Sequence, residues 1–163
     1  MSYEAILVDR SDGVGIITLN RPKVLNAMNL QLVKEMSSAV DDLEADAEIG
    51  ALIITGAGDK AFCSGGDQKL RGKGGYNDEE GLARFQVIDL HRMIRMVPKP
   101  VIAMVNGFAI GGGHVLHVVC DLSIASETAV FGQVGPKVGS VDPGFGTAYL
   151  SRVVGEKRAR EIW

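Results

Sequence analysis

The chain has 163 residues, 46% of them hydrophobic, which is enough for one domain with a sizeable core. Its 17 Lys and Arg against 20 Asp and Glu give a net charge of −3, arguing against general affinity for nucleic acid or an anionic membrane. Two cysteines, Cys63 and Cys120, without metal-ligand spacing argue against a disulfide framework, and no secretory leader or long apolar span opens the chain. A cytoplasmic protein without membrane insertion is the expectation.

Val14 to Asn20 and Gly50 to Gly56 are short β-branched runs closed by turn residues, and predict strands. Between them Leu32, Val33, Met36, Val40 and Leu43 recur at helical spacing, with Asn29 placed as N-cap. A second helix is predicted from about Asp78 to Arg95, ended by Pro98 and Pro100. Val101 to Val105 predicts a strand and Gly112 to Val119 a helix apolar on most sides, hence buried. Leu122 to Ala125 predicts another strand, and helical patterns return near Thr147 to Val153 and Lys157 to Trp163. Strands alternating with helices predict an α/β protein with largely parallel pairing. Trp163 ends the chain inside a helical pattern with no C-cap signal, so the sequence reads as cut short.

Two glycine clusters carry the chemistry: Cys63-Ser64-Gly65-Gly66-Asp67 and Ile110-Gly111-Gly112-Gly113-His114. Each follows a strand-like run and leads towards a helix, where glycine leaves peptide N–H groups uncovered. Two such N–H groups aimed at one point make an oxyanion hole, which stabilises negative charge developing on a carbonyl oxygen. The bland alternative is a pair of tight turns. Cys63 beside such a loop could be a nucleophile or a packing residue, and no paired base is visible in the sequence. His114 and His117 lie three apart on a buried helix and read as core histidines in preference to metal ligands, because no further ligand set is visible.

Taken together, Asn20-Arg21-Pro22 with Asn26-Ala27, AFCSGGDQK (61–69), PKPVIAMVNGFAIGGGH (98–114), CDLSIAS (120–126) and FGQVGPKVGSVD (131–142) resemble the crotonase, or enoyl-CoA hydratase/isomerase, superfamily along nearly the whole chain. The resemblance implies a spiral of ββα turns over residues 1–163, here without the C-terminal helical region that serves trimer contacts. It also implies an acyl-CoA substrate, an oxyanion hole from the N–H groups of Gly66 and Gly112, and a homo-oligomer, trimer or hexamer.

Hydratases of this superfamily work with two glutamates, and the matching positions here are Val115 and Gly135, neither able to move a proton. SGGDQKLRGKGGY (64–76), GGGHVLHVVCDL (111–122), FGQVGPKVGSVD and GEKRAREIW (155–163) are similar instead to the 1,4-dihydroxy-2-naphthoyl-CoA synthases of menaquinone biosynthesis, carbon–carbon lyases that cyclise o-succinylbenzoyl-CoA. Upstream, YEAILVDRSDGVGIITLNRP is closer to a generic hydratase. Glycine at 135 is similar to the branch that borrows a bicarbonate ion as base. The resemblance implies that Gln133, Val134, Gly135 and Trp163 hold that ion, with Val134 lacking the hydroxyl usual there. It implies Ser140 and Asp142 as the polar catalytic pair; for Asp142, ahead of Pro143-Gly144, the residues alone favour an Asx turn. Ser64, Gly65, Asp67, Gln68, Lys69, Arg71 and Tyr76 fall in the segment that meets CoA and substrate, although Asp67 also reads as a turn residue. No metal is expected. Two other readings stand beside this one: a different acyl-CoA hydratase, isomerase or thioesterase, and a CoA-binding remnant without turnover.

Overall fold

The computed structural model describes residues 3–71, 87–139, 142 and 144–163, with the backbone alone for Leu70, Arg71 and Val138. Ile6–Ser11 (β1) and Val14–Leu19 (β2) pair antiparallel through a turn at Asp12 and Gly13, whose φ values are +49° and +78°. β1 goes unnamed in the sequence reading because it ends in Asp9-Arg10-Ser11 and is exposed along most of its length. A 3-10 turn at Pro22–Val24 leads to helix α1 (Leu30–Ala45). The Asn29 side chain accepts the Leu32 N–H at 2.9 Å, as an N-cap must to satisfy a free donor of the first turn. Leu32, Val33, Met36, Val40 and Leu43 are all buried, so the helical spacing does describe the core face.

Next come Ala51–Gly56 (β3), Ala61–Cys63 (β4), a helical turn at Gln68–Arg71 (α2) and Val87–Met96 (α3). The predicted second helix is seen from Val87; its earlier part lies outside the described residues. Val101–Val105 (β5), Phe108–Ile110 (β6) and Gly112–Val119 (α4) follow, then Leu122–Ala125 (β7) and Val130–Gly132 (β8). Gly135–Val138 (α5), Phe145–Val154 (α6) and Glu156–Ile162 (α7) complete the order.

The strands form two sheets, ordered β1-β2-β3-β5-β7 and β4-β6-β8. Every pair except β1–β2 is parallel. β3, β5 and β7 enter the larger sheet, and each is followed by a strand of the smaller one, β4, β6 or β8. A helix follows every such pair, so the chain advances as successive ββα turns. The smaller sheet is absent from the sequence reading because its strands are three residues long, too short for any alternation to register. One apolar cluster runs from β1 and β2 through α1 to α4, with Phe62, Leu90, Val101, Leu116 and Val119 in it. A smaller one, Val118, Leu150 and Ala159, packs α6 and α7 onto α4 with Trp163 against it.

Candidate active site

The two glycine clusters pack backbone to backbone where β4 and β6, neighbours in the small sheet, both end. Gly65 has φ +91°, and a Cβ there would lie 2.9 Å from the Ile110 carbonyl oxygen and 3.2 Å from the Gly112 nitrogen. A Cβ on Gly113 would overlap the Cys63 carbonyl. The glycines are therefore required by close approach of two chain segments, one from each ββα turn.

This contact leaves two N–H groups beside each other. Met28 bridges Gly66 in parallel, its N–H donating to Gly65 O at 2.7 Å and its C=O accepting the Asp67 N–H at 2.8 Å. A parallel bridge of that pattern uses the neighbours of Gly66 and leaves the Gly66 N–H outside the ladder. Gly112 opens α4, so its N–H has no partner within the helix and carries the positive end of the helix dipole. The Gly66 nitrogen lies 3.9 Å from where a Cβ of Gly112 would stand. Two peptide nitrogens from different turns thus share one small region; an oxyanion hole needs two such donors aimed at one point.

The third ββα turn reaches the same place. Gln133 is 8% exposed; its Nε2 donates to Gly111 O at 3.4 Å, and its backbone N–H to Ile162 O at 3.3 Å. The first bond sets Gln133 against the glycine turn, and the second brings the chain end at Trp163 beside it. Val134 lies against Gly111, and Gly135 begins α5. The Asp142 carboxylate accepts the Gly144 N–H at 3.3 Å and the Thr147 N–H at 3.0 Å, the first of these being the Asx turn suggested by the sequence. Val115 and the Asp142 carboxylate both press on Gly146, where a Cβ would come within 2.6 and 2.7 Å of them. A carboxylate therefore does stand next to the Val115 side chain, but it arrives from residue 142.

Asp67 forms an ion pair with Arg21 at 2.9 Å, the two side chains 8% and 20% exposed, and its other oxygen accepts the Lys69 N–H at 3.2 Å. Ser64 donates its backbone N–H to Leu25 O, and the exposed Gln68 amide reaches Gly66 O. Lys69 is exposed. Tyr76, Ser140 and the Arg71 side chain lie outside the described residues.

Residues 9–163 match the model of the enoyl-CoA hydratase/isomerase family. The chain belongs to that family. Three solved structures are similar to it over nearly its whole length: an enoyl-CoA hydratase from Bacillus anthracis (35% identity, TM-score 0.89, 98% of this chain and 62% of that one), an enoyl-CoA hydratase subunit from Geobacillus kaustophilus HTA426 (35%, 0.87, 98% and 61%), and an enoyl-CoA hydratase/carnitine racemase from Magnetospirillum magneticum (33%, 0.88, 99% and 61%). The chain thus spans about three fifths of the length of these proteins. Enzymes of the enoyl-CoA hydratase/isomerase family act on CoA thioesters, and the ββα architecture expected from the sequence is the one observed.

Cys63 is fully buried, and burial pushes its thiol up to about 12 against the opposing pull of a Gly65 backbone hydrogen bond. A thiol held protonated in this way is no nucleophile. His114 Nδ1 and His117 Nε2 are 2.6 Å apart, and His117 Nδ1 is 3.1 Å from Ser123 Oγ. Burial pushes His114 down to about 4; burial and the neighbouring His114 push His117 down to about 3. The pair is neutral and bonded to itself. No group of three His, Cys, Asp or Glu among the described residues suits a metal ion. No helix among them is long and apolar enough to cross a membrane. What sequence reasoning missed is Met28, whose backbone holds Gly66; a methionine between an asparagine-rich turn and a helix carries no motif signal.

Proposed function

We propose that the chain is 1,4-dihydroxy-2-naphthoyl-CoA synthase-like and acts on an acyl-CoA whose thioester oxygen rests on the Gly66 and Gly112 N–H groups. The observation that carries this reading is the placement of proton-handling groups. By the sequence resemblance Val115 and Gly135 match the two hydratase glutamates, while the Val115 side chain and the Asp142 carboxylate meet at Gly146. With o-succinylbenzoyl-CoA, a proton leaves the carbon alpha to the thioester and the two N–H donors stabilise the resulting enolate oxygen. The enolate carbon then attacks the aromatic carboxyl carbon, closing the ring, and the carboxyl oxygen leaves as water. In this reading Asp142, and Ser140 by the resemblance alone, hold and move protons on the carboxyl side.

Gln133 and Trp163 offer side-chain N–H donors and Gly135 a helix-start N–H, a donor set that fits an oxyanion better than a cation. A bicarbonate ion held there would supply the basic oxygen that Gly135 lacks. Self-association is part of the same reading: Met104 and Ile124 are register partners on β5 and β7, and both are exposed apolar side chains, 41% and 63%.

The test is product analysis with o-succinylbenzoyl-CoA and crotonyl-CoA in parallel. Formation of the naphthoyl product is expected. Hydration of crotonyl-CoA without that product would reject the reading in favour of a hydratase of the kind the solved relatives are called.

A further inference from the structure

We infer that Met28 is the spacer that sets the distance between the two oxyanion donors, a positioning role that rests on the reading of Gly66 and Gly112 as those donors. Met28 touches both halves, one through its backbone and the other through its side chain. Its backbone holds the two peptide groups that flank Gly66, through the 2.7 Å and 2.8 Å bonds to Gly65 and Asp67. Its side chain, 1% exposed, carries its Cε to 2.6 Å from where a Gly112 Cβ would stand. The methyl occupies the room that the missing Cβ leaves. Glycine at 112 and methionine at 28 are thus complementary: one side chain fills the gap between two backbones.

The segment that delivers Met28 is itself held firmly. Leu25 and Asn26 have φ of +53° and +54°, a left-handed pair that non-glycine residues adopt only when surroundings impose it. The surroundings are visible. Asn26 Oδ1 accepts the Arg21 N–H at 3.0 Å, while its Nδ2 donates to Ala57 O at 3.0 Å and Ala61 O at 2.8 Å. Arg21 donates to Ala27 O and to the Asp67 carboxylate, closing a loop from residue 21 to residue 67 and back through Met28. The Ser64 N–H to Leu25 O bond adds a further tie at 3.1 Å. Met28 is therefore fixed at its backbone, and its side chain can act as a stop for the Gly112 turn.

Donors in an oxyanion hole act at about 2.7–3.1 Å, so a shift of a few tenths of an ångström in one glycine turn weakens polarisation of the thioester carbonyl. The probe is butyryl-CoA carrying a ¹³C thioester carbonyl, with its C=O stretch read by difference infrared spectroscopy on the whole chain. Binding to the wild-type chain lowers the stretching frequency. Met28→Ala shrinks that shift to less than half, and Met28→Leu gives an intermediate value, with the affinity for butyryl-CoA changed far less than the shift. Met36→Ala is the control: Met36 is a fully buried methionine on α1 that is not among the nearest neighbours of Gly65, Gly112 or Gly113, so its loss lowers stability and leaves the shift intact. A full shift in Met28→Ala overturns the spacer role and leaves the oxyanion hole standing. An equal loss of shift in Met36→Ala also overturns it, since any core cavity would then do the same. Absence of a shift in the wild-type chain rejects the donor reading itself, and the spacer role with it.

Discussion

Around Gly66 and Gly112 the protein is tied by short backbone bonds and glycine contacts, whereas around Gln133 and Asp142 it relies on single side chains with longer bonds. The Met28 backbone binds Gly65 and Asp67 at 2.7 and 2.8 Å; the Gln133 side chain holds Gly111 at 3.4 Å, and the Asp142 carboxylate holds Gly144 and Thr147 at 3.3 and 3.0 Å. Backbone donors survive most side-chain changes because the fold itself places them. Side-chain acids, bases and anion ligands can be exchanged one at a time. The difference separates what the fold itself places from what single substitutions can exchange.

The sharpest way to break the comparison is to disturb the glycine contact. Gly113→Ala puts a methyl into the Cys63 carbonyl, and neither backbone can yield without parting β4 from α4. Overpacking ordinarily costs 1–3 kcal/mol, and a backbone clash of this kind should cost about 3 kcal/mol or more. The urea midpoint should collapse, or no folded protein should be recovered. Asp67→Asn comes next. It leaves the Arg21 guanidinium, 20% exposed, without its anion, and should cost about 3 kcal/mol in chemical denaturation, near the lower end for broken buried pairs. A loss below about 0.5 kcal/mol would show that the clasp between the two segments is ornamental.

How much of this was readable beforehand follows from what each region uses. The larger sheet and α1 were readable, since β-branched runs and the spacing from Leu32 to Leu43 are direct consequences of burial. The glycine clusters announced free N–H groups, but not that Gly65 and Gly113 are each required by the other cluster's backbone. That is long-range information which no local pattern holds. The second sheet was invisible because three-residue strands have no period. Met28 was missed for a related reason: its role comes from a bridge to residue 66, thirty-eight positions away in the chain. Asp142 was ambiguous in the sequence and is two things at once in the structure, a cap for the start of α6 and a carboxylate beside Val115.

A smaller effect separates buried histidine from site chemistry. His91 is 3% exposed, neither of its ring nitrogens has a hydrogen-bond partner among the described residues, and burial pushes it down to about 4 although the Asp142 charge acts the other way. In the folded protein it is neutral between pH 4 and 6.5, where the unfolded chain binds a proton, so stability is complete above about pH 6.5 and falls as the pH is lowered towards 4. The slope for one such group is about 1.4 kcal/mol per pH unit. His91→Met should remove one proton from that slope and leave stability at pH 7 unchanged or raised by about 1 kcal/mol, because two unpaired polar atoms are replaced by an apolar chain. Urea midpoints at pH 5 and 7 measure both quantities. A loss at pH 7 would mean that the imidazole has a partner after all.

The mildest substitution tests the side-chain region alone. Gly135 is the first residue of α5, with Val134 as its cap and Pro136 next, a place where an acidic side chain meets the positive end of a helix. Gly135→Asp should therefore leave the denaturation midpoint within about 0.5 kcal/mol of the wild type. It adds one carboxylate to the region where the Gln133 and Trp163 side chains carry N–H donors. If that region takes an anion as base, cyclisation by the unaltered chain rises with added bicarbonate, and cyclisation by Gly135→Asp does not, because the tethered carboxylate competes for the same donors. Initial rates with o-succinylbenzoyl-CoA across a bicarbonate series, in buffer first stripped of carbon dioxide, separate the two. A flat response in both proteins would move the base elsewhere, and Asp142, whose carboxylate meets Val115 at Gly146, would be the next candidate. In either outcome the carbonyl shift produced by Gly66 and Gly112 should be the same in both proteins, since nothing in the backbone region has been touched.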